Sequence, residues 1–364
     1  MANQNIRTPR FYVDNINYQL SRGVTQNGNF DVTATDAGAT LMGTFTTGSE
    51  PELFDMRPLN ICTFDTSADT DGHVLIKINK GDDASVYNYV AILNHNLASS
   101  LGKIRIFAGN LSSDIDAVDA GNVDVQDPRW DGGNIATEVV NADTITTGAS
   151  NKSCVIQPAA NGTTIFAFPD ATVQYWAIQF EGADGGSGAD TDETWGSTDL
   201  FIGGIMIGEY YDMPHAPELD VKKTIAFDKN TVQESIGGQR YSNMPSHGRI
   251  ATSTLKSPFS VHNANRSIYG GRISYDMKFN YLASTDLLPN EYTSVQTGDD
   301  AVIEDVWNKT NGNHLPFIFS IDKDSTGNNA ESEHIFARFG QNALNMTQVA
   351  PDVFNISMRI EEEF

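Results

Sequence analysis

The sequence predicts a mainly β protein, a β-sandwich followed by a C-terminal β-rich region with one or two short helices. Three observations predict it. Apolar residues come in short runs bounded by Gly, Asn and Asp, the punctuation of strands and turns, and scarcely any helical period is present. The run Tyr89-Val90-Ala91-Ile92-Leu93 has no polar interruption, as in a strand covered on both faces. The run Lys103-Ile104-Arg105-Ile106-Phe107 alternates, which turns Ile104 and Ile106 to a core and Lys103 and Arg105 to water. The two strands, with Asn94-His95-Asn96 and a Ser-Ser-Leu-Gly turn between them, mark the centre of the sandwich.

Composition bounds the function. A length of 364 residues points to two or three domains, and 39 % hydrophobic residues suffice to build their cores. A formal charge of −24 repels phosphate backbones and argues against a nucleic-acid partner. No apolar run approaches the roughly 18 residues of a membrane span, so no membrane insertion is expected, and the start Met1 to Arg7 lacks the apolar core of a signal. Cys62 and Cys154 stand far apart without a Cys-x-x-Cys neighbour and read as buried thiols.

Residues 1–52 read as a strand and turn over Phe11 to Leu20, then an extended arm rich in Thr, Gly and Ala that has too few bulky apolar groups for a core of its own. Residues 53–213 read as the sandwich. Its strands are expected at 60–64, 74–78, 87–93, 103–108, 163–168, 174–180 and 200–207, with an Asp-rich loop over 111–150 that contains Trp130. Pro214 and Pro217 mark a boundary, and 214–364 form the third unit. Its strands are expected at 222–227, 249–254, 268–279, 315–321, 334–339 and 354–360. Val302, Ile303, Val306 and Trp307 form an apolar stripe at helical spacing behind Asp299 or Asp300 as cap, and a shorter turn is expected at Leu282 to Leu288.

The strands around Tyr89 to Leu97 and Lys103 to Phe107, then Tyr175-Trp176-Ala177-Ile178-Gln179-Phe180 and Phe201 to Gly208, resemble a discoidin-type, galactose-binding-like β-sandwich over roughly residues 53–213. The later order resembles the C-terminal region of phage distal tail and baseplate proteins. It consists of a long alternating strand, a helix ending in Trp307, Gly312-Asn313-His314-Leu315-Pro316-Phe317, and a last strand ending in Glu361 to Glu363. This resemblance implies a non-enzymatic virion structural protein, made in a bacterial host's cytoplasm. It would form a symmetric ring with copies of itself and meet tail tube, tail-tip or fibre proteins. The alternative is a carbohydrate-binding module that attaches to a surface glycan; the matching loops lack a clear pairing of Arg with an aromatic ring.

Trp130 and Trp195 lie among polar residues and are the expected exposed contacts with a sugar or another subunit, whereas Trp176 and Trp307 read as core. His95 reads either as a further contact or as part of a structural polar loop. No cofactor is expected, with one opening for calcium. Asp322, Asp324, Thr326, Asn328 and Glu333, with Gly327 at the sixth place, follow the spacing of a calcium loop. The flanks read as strands, so a solvated hairpin turn fits the same residues.

Overall fold

The computed structural model describes residues 7–22, 31–36, 45–67, 74–80, 86–113, 136–147, 153–184, 193–226, 231–243, 259, 272–289, 301–326 and 333–363. The protein is mainly β, with a few short helices. The first strands are β1 (Arg10–Asp14), β2 (Asp31–Asp36), β3 (Phe45–Thr47), β4 (Cys62–Phe64), β5 (Val74–Asn79), β6 (Tyr87–His95), β7 (Gly102–Gly109) and β8 (Thr137–Val140). Next come β9 (Thr144–Thr147), β10 (Cys154–Gln157), β11 (Gly162–Ala171), β12 (Tyr175–Asp184), β13 (Glu193–Thr194), β14 (Leu200–Ile202) and β15 (Gly204–Asp212). The last are β16 (Lys222–Ala226), β17 (Thr231–Glu234), β18 (Arg240–Asn243), β19 (Arg272–Ala283), β20 (Phe317–Ser320), β21 (His334–Phe339), β22 (Met346–Ala350) and β23 (Val353–Glu362). Helices α1 (Asn15–Ser21), α2 (Leu97–Ser100) and α3 (Ser284–Leu287) are short, and Val302–Asn308 winds as a π-helix.

An 11-stranded sheet runs β16-β19-β23-β21-β20-β1-β15-β6-β11-β8, with β22 added beside β23. Its strands come from all three stretches that the sequence separates at 52 and 213, and β1 lies between β15 and β20 where the two larger stretches meet. A seven-stranded sheet, β2-β5-β12-β7-β10-β9 with β13 beside β12, packs over one part of it. β6 and β7 therefore lie in facing sheets and are not hydrogen-bonded neighbours. Ile76, Ile104, Ile106, Trp176, Ile178 and Phe180 from the smaller sheet meet Val90, Ile92, Phe166, Ile205 and Ile207 from the larger. A second core joins Phe11 and Val13 of β1 to Tyr275, Met277, Phe317, Phe319 and Phe339, closed by Val302 and Val306 of the π-helix.

The N-terminal turn expected from sequence is a helix. Asp14 caps α1: its carboxylate accepts from Asn17 N–H at 2.9 Å and from the Asn17 side-chain amide at 2.7 Å. Burial nevertheless outweighs these bonds and pushes the Asp14 carboxyl up to about 6. The expected helix at Val302 is present with π winding. Asp299 and Asp300 fall outside the described residues, and Asp305 accepts from Ala301 N–H at 2.9 Å in the manner of a cap. Lys309, at the end of this helix, bonds Asp305 at 2.9 Å and Glu209 of β15 at 2.8 Å. Burial works against its charge, yet the two carboxylates outweigh burial and hold the ammonium above its usual range.

Lys103 and Arg105 do not face water. They are 7 % and 4 % exposed, because Glu181 stands opposite Lys103 across the β7–β12 pair. Arg105 grips that carboxylate with two bonds of 3.0 and 2.8 Å, and Lys103 lies 3.2 Å from it. The alternation correctly assigned two faces to β7. It could not say that the polar face is also covered.

Candidate functional site

Neither His95 nor Trp195, the two expected contact residues among those described, is exposed. His95 ends β6 fully buried. Its Nδ1 accepts from Leu97 N–H at 3.2 Å, which leaves the neutral ring's Nε2–H to donate to Thr164 Oγ1 at 2.8 Å. Its neighbours are tied as firmly: Asn94 donates to the Pro58 carbonyl at 2.7 Å, and Asn96 both donates to Asp199 O and accepts from Phe201 N–H. The polar loop is a buried brace that ties the end of β6 to β11, to the Pro58 carbonyl and to the Asp199–Phe201 segment, so His95 is structural and offers no surface to a ligand.

Trp195 is also buried, at 3 % exposure, inside the sandwich core. Gly102 leaves it room: a Cβ there would lie 2.8 Å from the indole and 2.7 Å from Leu97. The polar neighbours Asp192 to Thr194 suggested a wet loop, and only the fold shows that the ring turns inward. Trp176 is fully buried as expected, and Trp307 packs against Phe339 at 5.0 Å between ring centres. Trp130 lies outside the described residues.

The Asp322 to Glu333 stretch sits between β20 and β21, without flanking helices. Asp322 turns its carboxylate back to accept from Asp324 N–H at 3.0 Å. Arg7 lies 3.4 Å from Asp322 and 3.9 Å from Asp324, and Lys323 lies 3.5 Å from Asp324. Two of the expected calcium ligands thus face cations. Thr326 is exposed, Glu333 half-buried, and Asn328 lies outside the described residues. Among the described residues no group of three or more His, Cys, Asp and Glu side chains could hold a metal ion.

Two surfaces remain that sequence reasoning did not single out. One is a cavity of about 280 Å³ at the end of the sandwich, lined by Leu97, Leu101, Gly102, Asp143, Gln157 and Pro158 among others. Its lip, Leu101, is about half exposed and held at φ +58°, a left-handed conformation that costs an ordinary side chain roughly 1–2 kcal/mol. Trp195, lying against Gly102, backs this cavity from within the core.

The other surface is on the C-terminal part. The β17–β18 hairpin belongs to none of the three hydrophobic cores. It exposes Val232 by 61 %, Tyr241 by 56 % and all of Ile236 at its turn. In the large sheet, every residue of β22 is exposed, and Tyr281 is pushed outward at φ +63° by an irregularity in the β19–β23 pairing. No signal in the sequence separates these strands from loops, because their side chains follow no core. Comparison with protein-family models, curated proteins and solved structures finds no match.

Proposed function

We propose that this chain is a non-enzymatic structural protein of a tailed-phage virion. It assembles with copies of itself at the distal tail or baseplate, and its sandwich serves as an adaptor surface for tail-tip or fibre proteins. The virion placement rests on the order of elements from the long alternating strand to the acidic terminus, which resembles that class. The assembly reading rests on one observation, the β17–β18 hairpin with Val232, Ile236 and Tyr241 in water. A lone two-stranded hairpin is marginal in water, and apolar groups presented on one gain free energy only when a second surface covers them. Symmetry then multiplies one modest contact around the assembly.

Light scattering over a range of concentrations tests this. The protein is expected to form a discrete oligomer, and Val232→Asp with Ile236→Asp is expected to lower the average mass towards the monomer without shifting thermal unfolding. A wild-type protein that stays monomeric at the highest concentration overturns the reading.

A second reading, a carbohydrate-binding module, is favoured by the cavity beside Leu101. Its size suits one sugar ring, with Leu101 and Pro158 for the apolar face and Asp143 and Gln157 for the hydroxyls. This reading expects Leu101→Ala and Asp143→Asn to weaken binding on a glycan array by tenfold or more each, about 1.4 kcal/mol, with the oligomeric mass unchanged. Absence of any glycan signal for the wild-type protein would dispose of it.

A further inference from the structure

Two strand edges of the large sheet differ in character: β16 is one end of its strand order, and β22 lies off that order, along the same side of β23 as β21. Resting on the assembly reading above, we propose that β22 of one copy adds to the free edge of β16 in the next copy, so that successive molecules join head to tail through a continued sheet. β22 is hydrogen-bonded to β23 on one side, and among the described residues nothing pairs with its other side. β16 is bonded to β19 on one side, and among the described residues no strand pairs with its other side. β19 and β23 are neighbours; β16 borders the far side of β19, and β22 borders the far side of β23 beyond the end of β21, from which the sheet continues through β20. The two free edges therefore point in opposite directions from one ribbon. Pairing β22 with the next copy's β16 leaves a free β16 behind and a free β22 ahead, a heterologous contact that closes into a ring when the rotation between copies returns to the start and otherwise runs on as a filament.

Charge selects the occupant. Two molecules that each carry −24 repel one another over most of their surfaces. The stretch from Gly340 to Pro351 contains no charged residue, so β22 is a place where that repulsion is relieved. Edge strands that stay solitary are usually blunted by lysine, proline or an inward charge. β22 has none of these in Met346-Thr347-Gln348-Val349-Ala350; β16 opens with Lys222, exposed to an acidic copy, and Lys223, which lies 5.4 Å from the Tyr275 ring of its own chain. Apolar contacts are available on both sides: Met346 and Val349 are 43 % and 45 % exposed on β22, and Ile225 is 53 % exposed on β16. A twofold β22–β22 pairing would bury the neutral strand but leave both lysine-bearing edges unused.

Cross-linking between singly substituted proteins decides it. Thr347→Cys places a thiol on β22 and Thr224→Cys one on β16, while the native Cys62 and Cys154 are buried. A short flexible bis-maleimide, added to an equimolar mixture at a concentration where light scattering shows oligomers, is expected to join the two variants. Either variant alone should give little product, and adding Val349→Glu to the Thr347→Cys protein should abolish the link. Strong cross-linking of Thr347→Cys to itself overturns the proposal in favour of a twofold contact. Oligomers without any cross-link overturn the edge pairing while leaving assembly through the hairpin intact. Monomers throughout would sink both.

Discussion

Glu181→Ala is expected to destabilise the protein by about 3–5 kcal/mol, because it leaves Lys103 and Arg105 buried without the carboxylate they share. Glu181 is itself wholly buried, so no water replaces the lost partner at low cost. Arg105 also donates to Ser153 Oγ, at 3.3 Å, a neutral group that does not balance its charge. The urea midpoint, at unchanged slope, measures the loss. A triple variant with Lys103→Met, Arg105→Met and Glu181→Leu is expected to recover most of it, since removing a whole buried ion cluster also removes the desolvation that its charges carry. A loss below about 1 kcal/mol for Glu181→Ala would mean that the two cations reach water in the native state. The cluster would then be an ordinary surface pairing.

The same cluster shows where sequence reasoning reached and where it stopped. Alternation placed Ile104 and Ile106 in the core, and the long run over Tyr87 to His95 proved buried along its whole length. These strands were legible because burial of one or both faces writes a period into the sequence. By contrast β9 (Thr-Ile-Thr-Thr), β22 and the β17–β18 hairpin follow no such pattern, since their side chains are largely in water; β8, within the 111–150 stretch expected as loop, buries Val139 and Val140 but is only four residues long. α1 had a readable start in Asp14, whose side chain caps the first turn, but Asp14 and Asn15 after the aromatics read equally as the turn that ends a strand.

The site residues failed for a different reason. Trp195 and His95 stand among polar neighbours, and local polarity is a fair guide to exposure only when nothing distant packs on the segment. Gly102 and Gly182, remote in sequence, approach the chain at Thr194 and Trp195 so closely that neither could carry a Cβ without a shift. His95 is claimed by Thr164, 69 residues away. The surface that carries the functional proposal was invisible for the converse reason: Val232, Ile236 and Tyr241 are apolar residues left outside, and only the packing of the rest reveals that no place inside is kept for them.

Gly208→Ala is expected to cost about 3 kcal/mol, at the upper end of what overpacking a well-filled interior does. A Cβ at this position would lie 2.2 Å from the Val13 carbonyl oxygen and 3.0 Å from Asn15 N. Both are backbone atoms, so no rotamer change relieves the clash and β1 must move away from β15. The consequence extends beyond one ladder. β1 holds β15 on one side and β20 on the other, and its Phe11 and Val13 anchor the second core. Displacing it uncouples the strands before residue 213 from those after it and exposes two new sheet edges to neighbouring molecules. Calorimetry is expected to show a lower and broader transition for Gly208→Ala, accompanied by aggregation on heating. Gly237→Ala at the exposed hairpin turn, where the nearest atom is 3.9 Å away, should leave the profile unchanged. If Gly208→Ala stays within about 0.5 kcal/mol of the parent protein, the small cost usual for an open surface site, β1 does not bind the sheet together in this way, and the two cores unfold as separate units.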